Sequence, residues 1–395
     1  MPTALRWRWV IAVSVLRRLL SLPFAGHPIS TSVRIDNSGT FTVSAIASAG
    51  SAPLDYDRIR PVRIWLYCLA AFVLLIVIVG GGTRLTESGL SITSWKPISG
   101  IVPPLSAADW QAEFEAYQQI PQFRLVESWM GVEEFKSIFW WEWGHRFLAR
   151  MLGFAFAIPF AIFLVQRRIP KSLVWPMAGL FVAGAFQGFL GWWMVSSGLS
   201  ELTSVSQYRL AAHLCAASVL MMALVWVART LEPPVTGVAP SPGWLVANWV
   251  LVALLFIQIG AGALVAGLDA GFIYNTWPLI DGAIIPDGLF AVDPAWKNAF
   301  ENMLAVQFNH RNLAYLITIY ALVLWWRGRK SPGIAGIHAW LPRIAVLIVL
   351  QVTVGITTLL SVVNIPVALV HQALAFTLVS MVVAYLSDMH RLSVR

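Results

Sequence analysis

The sequence predicts an all-α integral membrane protein with eight transmembrane helices, arranged as two parallel-repeat four-helix bundles. Composition, the number of long apolar segments and an internal repeat lead to this prediction. Of the 395 residues, 58% are apolar and 12% are charged, whereas soluble domains average about 45–50% and about 25%. This composition excludes a soluble globular protein, a disordered chain and a coiled coil.

Eight segments are long and apolar enough to cross a bilayer, which takes about 20 residues. They are residues 64–83, 147–166, 173–196, 208–228, 244–267, 309–326, 340–361 and 367–386. An even number of spans places both ends of the chain on the same side of the membrane.

Basic residues indicate which side that is, because Lys and Arg concentrate on cytoplasmic loops. Basic clusters precede the first span and follow the second, sixth and last spans: Arg58, Arg60, Arg63, Arg167, Arg168, Lys171, Arg327, Arg329, Lys330, Arg391 and Arg395. The segments 84–142 and 269–301, on the other side, are rich in Asp and Glu. Both termini are therefore predicted to be cytoplasmic. The membrane is a bacterial inner membrane or, alternatively, a mitochondrial inner membrane, and the net charge of +8 does not indicate nucleic acid.

The first 60 residues are a separate extension, expected to be disordered or interfacial. Their apolar stretch from Trp7 to Phe24 is interrupted by Arg8, Arg17 and Arg18, which excludes a ninth span. Three interpretations stay open: a mitochondrial transit peptide, an anchor lying in the membrane interface, or an upstream start codon.

The chain repeats itself between its halves. Matching segments in the two halves are Val79-Gly80-Gly81-Gly82 with Ile259-Gly260-Ala261-Gly262, Gly144-His145-Arg146 with Asn309-His310-Arg311, Gln187 and Gly191 with Gln351 and Gly355, and His213 with His371. A four-span unit enters and leaves on one side, so the copies are parallel repeats. We expect a first half at residues 61–232, a linker at 233–243 and a second half at 244–395.

Four of the seven histidines fall near the outward ends of even-numbered spans: His145, His213, His310 and His371. A single polar residue within a span can simply bond a neighbouring helix. Two histidines in each of two bundles favour paired axial ligands of a heme iron. Zinc is disfavoured because each bundle lacks a third ligand. The remaining histidines, His27, His338 and His390, are expected to be solvated.

Other residues near these histidines fit a heme. Glycines in the spans permit close approach of a helix to a flat macrocycle, although small-residue helix packing explains them too: Gly80, Gly81, Gly82, Gly184, Gly188, Gly191, Gly260 and Gly262. Arginines near the outer ends of the spans are candidates for binding propionates, or for extending to the membrane interface: Arg84, Arg146, Arg150, Arg209 and Arg311.

Glu142 distinguishes the two halves. It precedes His145 by three residues, which places both side chains on one helix face, whereas the second half has Gln307 at this position. A carboxylate beside an oxidisable substrate can accept a proton or stabilise positive charge in a transition state. Alternatively, Glu142 is an acid favoured at a helix N-terminus by the helix dipole.

These segments resemble the heme A synthases over residues 60 to 390. The resemblance rests on Gly80-Gly81-Gly82-Thr83-Arg84-Leu85-Thr86-Glu87-Ser88-Gly89-Leu90-Ser91, Glu134-Phe135-Lys136, Glu142-Trp143-Gly144-His145-Arg146, His310-Arg311 and His371-Gln372. Some family members carry cysteine pairs in the external loops. Here Cys68 and Cys215 both lie in spans, so the chain resembles the cysteine-free branch found in mitochondria and related bacteria.

The resemblance implies an enzyme that oxidises a ring methyl group of heme O to the formyl group of heme A by successive hydroxylations. It implies that His145 and His213 ligate the substrate heme, that Glu142 is catalytic, and that His310 and His371 ligate a heme b cofactor. Expected partners are heme O, heme O synthase, cytochrome oxidase assembly factors, an electron acceptor, membrane lipid and a second copy of the chain.

Two other functions fit the residues. A di-heme b-type cytochrome that only relays electrons would use all four histidines but would give Glu142 no role. A transporter built on parallel repeats would place polar residues at the membrane midplane, whereas the ionisable residues here cluster at the outer end.

Overall fold

The computed structural model describes residues 31–35, 41–45, 55–200, 202–329 and 339–393. Strands β1 (Thr31–Ile35) and β2 (Phe41–Ala45) pair antiparallel. The helices are α1 (Tyr56–Leu85), α2 (Ala107–Tyr117), α3 (Pro121–Leu125), α4 (Val132–Val165), α5 (Lys171–Ser196), α6 (Gln207–Thr230), α7 (Pro242–Gly267), α8 (Asn298–Glu301), α9 (Met303–Gly328), α10 (Trp340–Leu360) and α11 (Ile365–Ser393). The expectation of a disordered or interfacial extension falls mostly on residues outside the described ranges.

Within the described ranges, seven helices are long and apolar enough to cross a membrane: α1, α4, α5, α6, α7, α10 and α11. The chain is therefore a multi-pass helical membrane protein. Helix α9 occupies the predicted sixth span and has 26 residues, but it is less apolar than the others because its first turns carry Gln307, His310 and Arg311.

The long helices extend beyond the predicted spans because polar caps, rather than the limits of apolar sequence, set their ends. The Glu134 side chain accepts a hydrogen bond from Gly131 N at 3.0 Å, so that α4 begins at Val132. The Asn302 side chain accepts bonds from the first amides of α9, as is typical of an N-cap. His145 consequently lies well inside α4 and not in its first turn.

The long helices pack in the same order in both parts of the chain. Helix α1 contacts α4 and α6, and α5 contacts α4 and α6; likewise α7 contacts α9 and α11, and α10 contacts α9 and α11. Helices α6 and α11 contact each other, α6 also contacts α7, and α11 contacts α1. Buried apolar residues of α1, α6, α7 and α11 form one core between the two groups of helices.

Hydrogen bonds within the two helix groups correspond residue by residue. Trp65 Nε1 of α1 donates to the carbonyl of Ala155 on α4 at 2.8 Å. In the second group, the Tyr320 hydroxyl of α9 donates to the carbonyl of Ala247 on α7, also at 2.8 Å. Trp65 corresponds to Ala247, and Ala155 corresponds to Tyr320, so the same two positions are joined in both groups. The donor lies on the first helix of the pair in one group and on the second helix in the other.

Charged residues join the two groups at the end remote from the four histidines. Asp388 of α11 is buried and accepts bonds from Arg229 of α6 and from Arg391. Beside them, Glu232 accepts from Tyr67 and pairs with Arg63, both on α1. This cluster therefore connects three helices that belong to both groups.

The segment between α1 and α4 covers the other end of the first group. Aromatic residues of α2 pack on the start of α4: the Phe114 and Tyr117 rings each lie 5.3 Å from that of Phe135. Phe135 and Tyr117 are fully buried. This packing fixes the loop at residues 88–95 against the part of α4 that carries Glu142.

Candidate functional site

A cavity of about 1020 Å³ lies among the long helices and is lined by all four predicted ligands, His145, His213, His310 and His371. The cavity has two regions. The first pocket surrounds His145 and His213, and the second pocket surrounds His310 and His371. The structure thus brings together the residues that the repeat singled out, with one pair contributed by each half.

Each histidine lies against a glycine of the preceding long helix. The distance from an ideal Cβ at the glycine to the imidazole Cε1 is 2.6 Å for Gly80 and His145, 3.4 Å for Gly191 and His213, 3.1 Å for Gly262 and His310, and 2.7 Å for Gly355 and His371. The glycines make room for the rings, because a larger residue would displace or crowd them. The same contact is made four times.

These contacts correct the predicted alignment of the first and fifth spans. Gly80 corresponds to Gly262, and not to Gly260, because each of the first two supports a histidine. Gly260 instead lies against Cys215, and Gly82 lies against Trp141. The sequence alone favours the other register, because Gly80 and Gly82 then match Gly260 and Gly262.

Glutamines lie one helical turn before three of these glycines. The amide Nε2 of Gln258 lies 3.1 Å from Nδ1 of His310, and that of Gln351 lies 3.2 Å from Nδ1 of His371. Gln187 donates to the backbone carbonyl of His213 at 3.2 Å, as Gln258 also does to that of His310 at 3.0 Å, but Nδ1 of His213 has no partner. Sequence reasoning missed Gln258, although it has the same four-residue spacing to its glycine as the other two.

The first pocket lacks these contacts to the rings. Ile76 occupies the position that corresponds to Gln258. Its backbone lies beside the His145 imidazole, but Nδ1 of His145 and Nδ1 of His213 are buried without a hydrogen-bond partner. The rings of the second pocket are therefore held by side-chain amides, and those of the first pocket are not.

The histidine pairs fit a heme better than a bare metal ion. The ring centroids of His310 and His371 lie 6.5 Å apart, a distance that two metal–imidazole bonds of about 2.0–2.1 Å each and two half-rings span. Among the described residues, no group of three or more His, Cys, Asp or Glu side chains could hold a metal ion. A heme needs only two axial ligands from the protein, and each pocket offers two.

Glu142 is buried in the first pocket, with 2% of its surface exposed. One carboxylate oxygen accepts from Ser91 Oγ at 2.8 Å and from Ile92 N at 2.7 Å. The other accepts from Arg146 Nη2 at 2.6 Å and Nε at 3.0 Å. The alternative of an acid at a helix N-terminus is wrong, because α4 begins at Val132 and Glu142 lies in its interior.

Gln307 replaces this carboxylate in the second pocket. Its Nε2 donates to the carbonyls of Ala270 and Ile273 at 2.8 and 2.9 Å, and its Oε1 accepts from Arg311 at 2.8 Å. The position is therefore neutral there. The arginine contact is kept, but backbone carbonyls face Gln307 where a backbone N–H and a hydroxyl face Glu142.

Arg146 and Arg311 make corresponding contacts. Arg146 donates to the carbonyls of Ile92 and Ser94, and Arg311 donates to those of Tyr274 and Thr276. Both line the cavity. Each arginine thus fastens the loop that follows the first helix of its group to the helix that carries the histidine.

Two further predicted arginines line the cavity. Arg150 donates to the carbonyls of Lys96 and Pro97, and its Nη1 is buried without a partner. Arg84 pairs with both Glu87 and Asp269 at 2.7 Å, which joins the two halves, and its Nε is also unpartnered.

Arg209 is not among the residues that line the cavity. It donates to the carbonyl of Trp193 and to Ser196 Oγ, with its guanidinium 4.8 Å from the Trp193 ring centroid. Its contacts therefore hold the end of α5 rather than face the pocket.

Gln372 is a second residue that sequence reasoning did not assign. It follows His371, and its Nε2 donates to the carbonyl of Val77 at 3.1 Å. Its Oε1 occupies the space beside Gly81. The second pocket and the glycines beside the first pocket are thus in direct contact through one side chain.

Of the remaining histidines, the structure describes only His390, which does not line the cavity. His27 and His338 lie outside the described residues, so their predicted solvation is untested. His390 was expected to be solvated, but it belongs to α11 and is partly buried, with its ring centroid 5.8 Å from that of Trp226. The prediction is wrong because α11 continues beyond the apolar segment.

Fold and site together define a multi-pass helical membrane protein in which paired histidines line an internal cavity. The chain belongs to the COX15-CtaA family, described as cytochrome oxidase assembly protein, whose model matches residues 63–383. It is 48% identical over 348 residues to a protein of Azorhizobium caulinodans named "Heme A synthase", an alignment covering 88% of this chain and 99% of that protein.

Proteins of the same name from other organisms are as similar. The one from Parvibaculum lavamentivorans is 49% identical over 83% of this chain and 93% of its own length. The one from Allorhizobium ampelinum is 49% identical over 87% of this chain and 96% of its own length. The resemblance to the heme A synthases is confirmed, and it covers both pockets.

Proposed function

We propose that the protein is a heme A synthase, an oxidoreductase that converts a ring methyl group of heme O to the formyl group of heme A by successive hydroxylations. The observation that carries this proposal is the asymmetry of the two pockets. One histidine pair has a buried carboxylate beside it and the other has an amide. Relatives that share nearly half of the sequence bear this name.

The first pocket binds the substrate heme O in this proposal, with His145 and His213 as axial ligands. The rings of His145 and His213 lack the side-chain amide contact that both rings of the second pocket have. Rings that are held less firmly suit a heme that must leave as product. Arg84, Arg146 and Arg150 are the candidates for its propionates, because charge-assisted bonds to carboxylates are strong.

The second pocket binds heme b as a resident cofactor, held by His310 and His371. The side-chain amides of Gln258 and Gln351 contact these two rings and so restrict where the imidazoles lie. When bound, heme b supplies reversible one-electron transfer. Arg311 is the candidate for its propionates.

Glu142 is proposed as the catalytic residue. It lines the cavity three residues from His145, and Arg146, Ser91 and Ile92 hold its carboxylate in one position. A fixed negative charge there stabilises positive charge that develops at the substrate methyl group, or accepts its proton. Gln307 can do neither in the second pocket.

The parallel contacts of the two helix groups support the finer architecture. We infer eight spans, with α9 as the sixth, in two parallel-repeat bundles of residues 61–232 and 244–395 joined by the linker 233–243. Both termini are then cytoplasmic, and the membrane is a bacterial inner membrane or, alternatively, a mitochondrial one. Heme O synthase, oxidase assembly factors, membrane lipid, an electron acceptor and a second copy of the chain are the proposed partners.

The test is to express the chain in a host that makes heme O, purify it in detergent, and identify the extracted hemes by chromatography and mass. Heme b together with heme O and its hydroxylated or formyl products is the expected result. Unmodified heme b in both pockets, in a host shown to make heme O, would instead identify a di-heme cytochrome that relays electrons.

A further inference from the structure

Three glycines form part of the wall of the first pocket between α4 and α5. Gly153 of α4 and Gly184 and Gly188 of α5 all line the cavity. A Cβ added at any of them would meet no atom within 4 Å. These glycines therefore border open space and do not serve close packing of the two helices.

Larger residues occupy the corresponding positions of the second pocket. Thr318 follows His310 at the spacing by which Gly153 follows His145, and Ile348 and Val352 precede Gly355 as Gly184 and Gly188 precede Gly191. All three line the cavity, and Ile348 is 1% exposed. The wall that is open in the first pocket is filled in the second.

The open wall faces the outside of the helix bundle. Gly153 and Gly188 are exposed as well as lining the cavity, whereas Thr318 and Val352 are only partly exposed. The first pocket thus opens sideways between α4 and α5, towards the region that lipid occupies.

Unpartnered polar atoms lie beside this opening. Oε1 of Gln187, on the same helix as Gly184 and Gly188, and Nδ1 of His213 are buried without a hydrogen-bond partner. Both residues line the cavity. The opening therefore leads to unpartnered polar atoms of the cavity, of which the second pocket also has two, Oε1 of Gln258 and of Gln351.

We propose that Gly153, Gly184 and Gly188 form a lateral slot through which the isoprenoid tail of the substrate heme passes into the lipid, and that Thr318, Ile348 and Val352 close this slot in the second pocket. This inference rests on the proposed function, in which heme O is the substrate. Heme O carries a long isoprenoid chain where heme b carries a vinyl group. The slot then determines which heme enters which pocket.

The chemistry of the tail fits the slot. An isoprenoid chain is entirely apolar, so lipid tails solvate it as well as an apolar pocket does. A closed bundle has no space for such a chain, whereas a glycine-lined gap passes it to the bilayer with no polar group to desolvate. A branched side chain in the gap would collide with the tail and leave the macrocycle and its axial ligands undisturbed.

The double variant Gly184→Ile/Gly188→Val, which copies the second pocket, tests the proposal. The purified full-length chain in lipid nanodiscs is titrated separately with heme O and with heme b, and binding to each pocket is followed by absorption. We expect heme O affinity of the first pocket to fall at least about tenfold, the discrimination that even one methylene group produces in an apolar pocket. Heme b affinity should stay within about twofold of the parent value.

Gly179→Val is the matched control. Gly179 lies on the same helix, is exposed and also has no atom within 4 Å of an added Cβ, but it does not line the cavity. This variant should bind both hemes as the parent does. Should the double variant fail to fold, the single variant Gly188→Val carries the same expectation, since its side chain meets open space.

Equal losses of heme O and heme b affinity, or no loss of either, would overturn the slot. Different outcomes would refute the proposed enzyme activity and the proposed slot. A parent chain that binds heme O selectively through the slot but never oxidises it would refute the enzyme and retain the slot. A double variant that binds and converts heme O as the parent does would refute the slot and retain the enzyme.

Discussion

The imidazole of His145 lies so close to Gly80 that a Cβ on residue 80 would approach its Cε1 to 2.6 Å. The glycine is thus part of the ligand geometry, because the ring occupies the space that any other residue would fill. Gly191 and His213 are related in the same way but with more room, at 3.4 Å, which is an ordinary van der Waals separation.

This difference predicts a graded response to alanine. Gly80→Ala should displace His145 and remove most heme from the first pocket, whereas Gly191→Ala should retain most of it. Heme content per chain and the absorption spectrum of the purified protein measure both effects. Gly179→Ala, on the exposed face of α5, controls for the substitution itself. Equal heme retention in the Gly80 and Gly191 variants would contradict the role of the close contact.

Glu142→Gln should leave heme binding largely intact while it suppresses conversion of heme O by about 100-fold or more, the range typical of general acid–base groups. The amide is nearly isosteric with the carboxylate and keeps one oxygen for Arg146, although its NH₂ group cannot accept the bond that Ile92 N donates. Conversion is measured by chromatography of extracted hemes. Full activity of the variant would remove the proposed chemical role.

His310→Ala should remove the second heme, because the remaining ligand His371 cannot replace the second axial bond. The first pocket should still bind heme O, since His145 and His213 are unchanged. Heme composition after purification distinguishes the pockets. If heme content stayed at the parent level, the assignment of His310 as a ligand would be wrong.

Asp388→Ala should destabilise the fold, because it leaves Arg229 and Arg391 without their buried carboxylate. Breaking a buried ion pair costs about 3–5 kcal/mol, which should appear as a lower thermal unfolding temperature in detergent. Glu133→Ala is the control, as Glu133 pairs with Lys136 with 74% of its side chain exposed. Similar unfolding temperatures for both variants would show that the Asp388 cluster does not join the halves.

Much of the fold was predictable from the sequence because long apolar segments determine where helices cross a membrane. The predicted span at 173–196 lies within Lys171–Ser196, for example. The N-terminal end of α4 was not predictable from hydropathy, because its first turns are amphipathic and cover the loop at residues 88–95. Helix α9 was predicted as a span, but it is not among the seven described helices that are apolar enough to cross a membrane. The polar residues that line the second pocket lower its hydropathy.

The candidate ligands were predictable because histidines are rare within spans and recur at matching positions. The residues that contact these histidines and position them were harder to predict. The sequence alone matches Gly80 with Gly260, and only the contacts with His145 and His310 show that Gly80 corresponds to Gly262. The bond from Gln372 to Val77 joins residues nearly three hundred positions apart, which no local pattern indicates.

Arg84 serves two acids at once, Glu87 from its own half and Asp269 from the other. Ala266 stands at the position corresponding to Arg84 in the second half, so the pair of acids shares one cation. A symmetric dimer assembled from identical halves would place either two arginines or none between its two acids. A single continuous chain permits one, so the two halves can diverge in sequence while a single cation still bridges the acids at their seam.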